Sequence, residues 1–153
     1  MPEGWSQEAA RKLKQRTERI TESQAVLLEK RKLIEEQGPA LWRLVREKVK
    51  QMCADLNAEY GEQVVTFGIG QSSQISILFR HIGVSRQLKA ECDISTAPDA
   101  LQWYYLAEEM DGDPRRQTYA FHVAEGKTIF QSGLVPSTPD SIARQMMDGL
   151  LNP

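Results

Sequence analysis

Large aliphatic residues recur at seven-residue intervals through the first part of the chain: Leu13, Ile20, Leu27, Ile34 and Leu41. Such a repeat keeps one edge of a helix facing a single partner surface. Residues 7–37 contain no Pro or Gly and are rich in Glu, Gln, Lys, Arg, Leu and Ala, all good helix formers. The pattern predicts a helix from about Ser6, which stands where an N-cap is wanted. Opposite charges at i,i+4, as in Lys14–Glu18 and Lys32–Glu36, mark a solvated face.

A full coiled-coil seam needs a second apolar position per heptad. With Leu13, Ile20, Leu27 and Ile34 at d, the a positions are Ala10, Thr17, Gln24 and Arg31. Only the first is apolar. The edge is narrow, broadened locally by Val26, Leu28 and Leu33. It suits either a helix lying on its own domain or a helix paired with another polypeptide.

Gly38-Pro39 interrupts the run. Glycine is a natural terminator and proline a natural first helical residue, so the sequence predicts two helices meeting there. The second spans about Pro39–Tyr60, ending at Gly61. Its Leu41, Trp42, Leu44, Val45, Val49, Met52, Cys53, Leu56 and Tyr60 form a broad stripe at i, i+3, i+4 spacing, the mark of a core-facing helix.

From Glu62 the period changes to two. Strands are expected at Gln63–Ile69, Gln74–Ile82 and Arg86–Ile94, with turns at Gly70-Gln71-Ser72-Ser73 and Gly83-Val84-Ser85. In the third, Leu88, Ala90, Cys92 and Ile94 alternate with Lys89, Glu91 and Asp93, as in a half-buried antiparallel strand. Asp99–Glu109, with Trp103, Tyr104 and Tyr105, favours strand by its aromatic content, with a short helix capped by Asp99 as the alternative. Asp111-Gly112-Asp113-Pro114 reads as a loop. Gln117–Ala124 and Lys127–Ser132 form a hairpin across Glu125-Gly126. Pro136–Pro139 breaks the sheet, and Thr138 or Asp140 caps a final helix reaching about Leu151. The result is an α+β chain: a long N-terminal helical segment, an antiparallel meander of five to six strands and a C-terminal helix. Residues 1–38 read as an arm and 39–153 as the sheet domain.

Composition changes this picture little. A chain of 153 residues holds one domain's core without disulfide support. Residues 1–60 carry 12 Lys/Arg against 10 Asp/Glu, and residues 61–153 carry 7 against 11. That asymmetry argues for neither nucleic acid nor an anionic membrane as partner. The absence of a long apolar window and two isolated cysteines, Cys53 and Cys92, fit a cytoplasmic chain with thiols in its core.

No motif for catalysis, cofactor or metal emerges. His81 continues the Ile75, Ile77, Phe79 face, whereas His122 is out of phase with Tyr119, Phe121 and Val123, and no third ligand lies near. Gly68-Ile69-Gly70 lacks the third glycine and the following helix of a phosphate loop. Glu108, Glu109, Asp111 and Asp113 lack the spacing of a calcium loop. The basic run of Arg11, Lys12, Lys14, Arg16 and Arg19 has no interleaved aromatics.

Two uses follow. The first is an interaction or assembly protein whose arm, through Leu13, Ile20, Leu27 and Ile34, self-associates or binds a helical partner. The second is a small-molecule-binding domain, with a pocket between the sheet and the 39–60 helix lined by His81, Cys92, Trp103 and Tyr105.

Overall fold

The structure is a computed structural model that describes residues 2–70, 74–97, 99–107 and 116–151. One helix, α1 (Pro2–Tyr60), takes up the first part of the chain. Seven strands follow as a simple meander: β1 (Val65–Ile69), β2 (Ile75–His81), β3 (Val84–Cys92), β4 (Leu101–Ala107), β5 (Arg116–Ala124), β6 (Lys127–Ser132) and β7 (Val135–Ser137). Every strand pairs antiparallel with its sequence neighbour. The chain ends with α2 (Pro139–Leu151), whose start is capped by Thr138: its hydroxyl accepts from Ser141 N at 3.1 Å.

The α+β reading therefore holds, with one correction in detail. A seventh strand is present where Pro136 was expected to end the sheet. It is only three residues long and lies on the sheet edge, where proline's missing N–H costs nothing. The Asp99–Glu109 ambiguity resolves to strand over Leu101–Ala107.

The larger correction concerns Gly38-Pro39, which does not divide α1. Both residues have local reasons to sit inside a helix. Gly38 is buried against the sheet, where a Cβ would come within 3.2 Å of the Phe121 ring and 3.3 Å of Ile94. Pro39 is exposed, as is Glu35, the residue whose carbonyl the proline leaves without an amide partner, so that loss falls on the solvated part of the helix. The helix also begins at Pro2, before the expected Ser6 cap.

Alternation puts one face of the meander against the helices. Ile77, Leu88 and Tyr105 follow one another across β2–β4, as do Cys92, Leu101 and Tyr119 across β3–β5. Against this face α1 presents Ile34, Trp42, Val45, Val49 and Cys53, and α2 presents Ile142, Ala143, Met146, Met147 and Leu150. Leu44 and Tyr60, grouped with the core stripe from the sequence, remain about half exposed at 51% and 49%. Tyr60 instead meets His81, its hydroxyl 2.8 Å from His81 Nε2. The fold is thus two layers, helices over one face of a sheet whose other face is polar.

Polar side chains also fasten the layers, Asn57, Gln37 and Arg86 among them. Asn57 accepts from Val64 N (2.9 Å) and Val65 N (3.1 Å) and donates to Val65 O (2.9 Å). Gln37 Oε1 accepts from Thr128 N at 2.6 Å. Arg86 donates to Leu150 O (3.1 Å) and Leu151 O (3.2 Å), closing the C-terminus of α2 where a cation is favoured by the helix dipole.

Two hairpin turns carry positive φ at both central residues: Ile82 (31°) with Gly83 (75°), and Glu125 (54°) with Gly126 (74°). That is the signature of the twisted two-residue turn that closes a hairpin. The second was expected at this position. The first replaces the expected Gly83-Val84-Ser85 turn, because β3 already begins at Val84.

Candidate functional site

The feature that a packed two-layer domain does not account for is the first half of α1. Every described side chain from Gly4 to Lys32 is exposed except the partly covered Ala9. At 1.5 Å per residue this is a rod of about 44 Å standing clear of the sheet. The aliphatic repeat divides at the edge of the globule. Leu13, Ile20 and Leu27 are 63%, 48% and 66% exposed, whereas Ile34 is 8% exposed and Leu41 packs against the core.

The direction of this edge follows from helix geometry. At 100° per residue, Leu13, Ile20 and Leu27 point within about 25° of the mean direction of Ile34, Gly38, Trp42, Val45 and Val49. The arm edge is thus the core-facing line of α1 carried past the end of its sheet. It has the same orientation and the same residue types, but no surface of this chain lies beneath it.

The polar residues between the aliphatics are less hydrophilic than their names indicate. Thr17 donates its hydroxyl to Leu13 O at 3.0 Å, and Thr21 donates to Thr17 O at 2.9 Å. Both hydroxyls are turned onto the helix backbone, a local bond open to threonine in helices. Thr17 then offers chiefly its methyl to anything approaching the edge. Two exposed ion pairs flank the arm: Lys12–Glu8 at 3.5 Å lies off this line, and Arg31–Glu35 at 3.6 Å sits beside it where the arm meets the globule. They replace the expected Lys14–Glu18 and Lys32–Glu36 pairs, and as exposed pairs they contribute little.

Of the residues suggested as a pocket lining, Cys92, Trp103 and Tyr105 belong to or pack against the one core cluster, and His81 lies apart from it. Cys92 and Trp103 are buried in the packed core, and Trp103 stacks on Tyr119 with centroids 5.3 Å apart. Tyr105 is tied to α2, donating to Met146 O at 2.9 Å, and burial raises its phenol pKa. His81 sits at the far end of β2 with Tyr60. Cys53 and Cys92 are both buried thiols outside any disulfide. Burial pushes Cys53 up to about 11 and Cys92 up to about 12, so neither is a ready nucleophile.

A groove of about 480 Å³ lies on the other, solvated face of the sheet, between Gln74, Gln87, Glu91, Gln102 and Tyr104. Several of its polar groups satisfy one another: Gln74 donates to Glu91 at 2.8 Å and Gln87 to Ser76 at 2.7 Å. The Arg116 guanidinium rests 5.5 Å from the Tyr104 ring centroid. This mutual satisfaction is that of a solvated sheet face.

Among the described residues, no group of three or more His, Cys, Asp or Glu side chains is placed to hold a metal ion, and no helix is long and apolar enough to cross a membrane. The acidic run Glu108, Glu109, Asp111 and Asp113 lies outside the described residues, as does the centre of the 70–73 turn. No protein-family model, curated protein or solved structure matches the chain.

Proposed function

We propose that this chain is a non-enzymatic assembly protein whose arm pairs with the arm of a second copy. The observation that carries the reading is the division of one aliphatic line: covered from Ile34 onward and bare at Leu13, Ile20 and Leu27. A helix whose exposed half continues the apolar line of its buried half is built for a second surface of similar kind. The globule supports this role by anchoring the rod, since residues 34–57 are held by core packing and by the Gln37 and Asn57 clamps.

Magnitude favours a reversible pair. Drying the exposed parts of three large aliphatics on each of two chains contributes roughly 1–2 kcal/mol per side chain. The gross gain, on the order of 10 kcal/mol, is comparable with the freedom lost on association. The expected pair is therefore weak and dependent on concentration.

The test replaces Leu13, Ile20 and Leu27 together by serine in the full chain and measures mass by light scattering behind size exclusion. These side chains lie outside the core, so circular dichroism of the sheet and the unfolding midpoint at low concentration should be unchanged. The reading expects dimer mass for the parent and monomer mass for the triple variant at equal, high concentration. Identical masses for the two proteins would refute it, and so would a partner of different sequence that binds the parent and competes out no self-association.

A further inference from the structure

We propose that α1 seals the two edges of the sheet with side-chain amides, Asn57 at β1 and Gln37 at β6, and that the Asn57 seal keeps β1 from pairing with β1 of a second copy. The inference concerns the packed half of the helix and does not rest on pairing of the arms.

Two bonds fix which way the backbone of β1 faces. Arg80 N donates to Val64 O and Gly70 N to Gln74 O, both at 2.9 Å. In an antiparallel pair the bonded residues alternate, so Thr66 and Gly68 also face β2. Val65, Phe67 and Ile69 turn their N–H and C=O groups to the open side. Asn57 takes both groups of Val65: its Oδ1 accepts from Val65 N at 3.1 Å and its Nδ2 donates to Val65 O at 2.9 Å. A carboxamide carries the donor and acceptor of a peptide group, and here it occupies the place of a neighbouring strand.

Gln37 does the same on the other side. The two-residue turn Glu125-Gly126 makes Ala124 and Lys127 a bonded pair, so Thr128 faces away from β5, on the side of β7. The pairing with β7 stops at Phe130, opposite Ser137, because α2 begins at Pro139. Gln37 fills the place beyond: Oε1 accepts from Thr128 N at 2.6 Å and Nε2 donates to Gly126 O at 3.5 Å. One helix can reach both sides. The stretch from Gln37 to Asn57 is about 30 Å long, enough to cross the strand spacings of about 4.8 Å from β1 to β6.

An open edge is a template for another strand. The β7 edge is three residues long and holds a proline, so it offers little to pair with. β1 is different. It is five residues long, with Ile69 65% exposed at its end, and among the described residues no bond reaches the outward groups of Phe67 and Ile69. Those two residues alone make a poor ladder, since strands ordinarily run to about five or six residues. Releasing Val65 makes the whole of β1 available. Its counterpart is then the same edge of a second copy, because the far side of the sheet is closed, and a twofold axis sets the two β1 strands antiparallel.

The experiment uses the full chain with Leu13, Ile20 and Leu27 replaced by serine, so that the arm contributes no association. Into it are placed Asn57→Ala, Asn57→Ala together with Ile69→Pro, and Gln37→Ala. Ile69→Pro removes an outward N–H and leaves the bonds to β2 intact. Gln37→Ala loosens the joint between helix and sheet but bares only a single residue beyond β7. Circular dichroism checks the sheet, and light scattering gives the mass at high concentration. The expected result is a doubled mass for Asn57→Ala alone and monomer mass for the other two. Monomer mass for a folded Asn57→Ala chain would overturn the proposal. Association that survives Ile69→Pro, or appears equally in Gln37→Ala, would do so too, since a loosened core would then be its cause. Residue-resolved amide exchange on the unsubstituted chain decides the matter even where Asn57→Ala fails to fold. Val65 should exchange slower than Phe67 and Ile69 by about tenfold or more. Equal protection of the three would mean that the β1 edge is covered along its whole length, and the Asn57 seal would lose its role.

Discussion

Replacing Asn57 by alanine should cost 2–4 kcal/mol, because this one amide closes the joint between α1 and the sheet. Its Oδ1 is the acceptor for Val64 N at 2.9 Å and Val65 N at 3.1 Å, and its Nδ2 donates to Val65 O at 2.9 Å. Val64 and Val65 are themselves buried, so water cannot easily take the place of the lost amide. Three bonds at about 1 kcal/mol each, with an added penalty for any group left without a partner, give about 2–4 kcal/mol. That is a large part of the 5–15 kcal/mol by which domains are ordinarily stable, in order of magnitude. Asn57→Asp separates the contributions: it keeps an acceptor for both amides but sets a carboxylate oxygen against Val65 O, and should fall between parent and alanine. Urea unfolding followed by circular dichroism, at one low protein concentration so that association does not intrude, gives the three values. A loss below about 0.5 kcal/mol for Asn57→Ala, within the range of an ordinary surface change, would show that the joint does not depend on this side chain.

Ile82 is a β-branched residue at φ 31° and is 87% exposed at the hairpin tip. Ile82→Asn, the residue such turns prefer, should stabilise by about 1 kcal/mol, and an unchanged unfolding midpoint would remove the strain from the account. The two buried thiols make stability fall at high pH. Their folded-state pKa values, about 11 for Cys53 and about 12 for Cys92, lie above the 9.0 of an unburied thiol. The folded chain therefore holds protons that the unfolded chain releases. Stability from this source is complete below about pH 9 and drains between pH 9 and 11–12, by up to about 1.4 kcal/mol per pH unit for each thiol. Midpoints measured from pH 8 to 11 should slope less steeply in Cys53→Ala and Cys92→Ala than in the parent, and parallel slopes would contradict it.

Much of the architecture was legible because period and burial agree. Leu88, Ala90 and Cys92 alternate with charges and are buried in that phase; the stripe through Val45, Val49 and Cys53 is helical and buried likewise. What misled was punctuation whose meaning is tertiary. Gly38 is a glycine because Phe121, far along the chain, comes close, and no local pattern distinguishes that from a terminator. Ile82 reads as the end of a strand because nothing in its chemistry announces positive φ. Val135–Ser137 is too short for a period to register.

The candidate site divides in the same way. The seven-residue repeat at Leu13, Ile20 and Leu27 is plain in the sequence, but its exposure is not, since a flexible junction at Gly38-Pro39 would have let the first helix fold back. Only the continuity of α1 carries the repeat away from the sheet. The clamps carry no local signature because their partners are distant: Gln37 meets Thr128 and Arg86 meets the end of α2. Asn57, just eight residues from Val65, left the only local trace, a polar residue inside the last apolar stretch of a helix.

Sedimentation equilibrium of the unmodified chain, from low micromolar to several hundred micromolar, bears most directly on whether a second copy covers the arm. The mass should climb from 17.4 kDa toward twice that value, with amide exchange slowing across residues 10–28 over the same range. A mass of 17.4 kDa at every concentration, with arm amides exchanging at one constant fast rate, would contradict it.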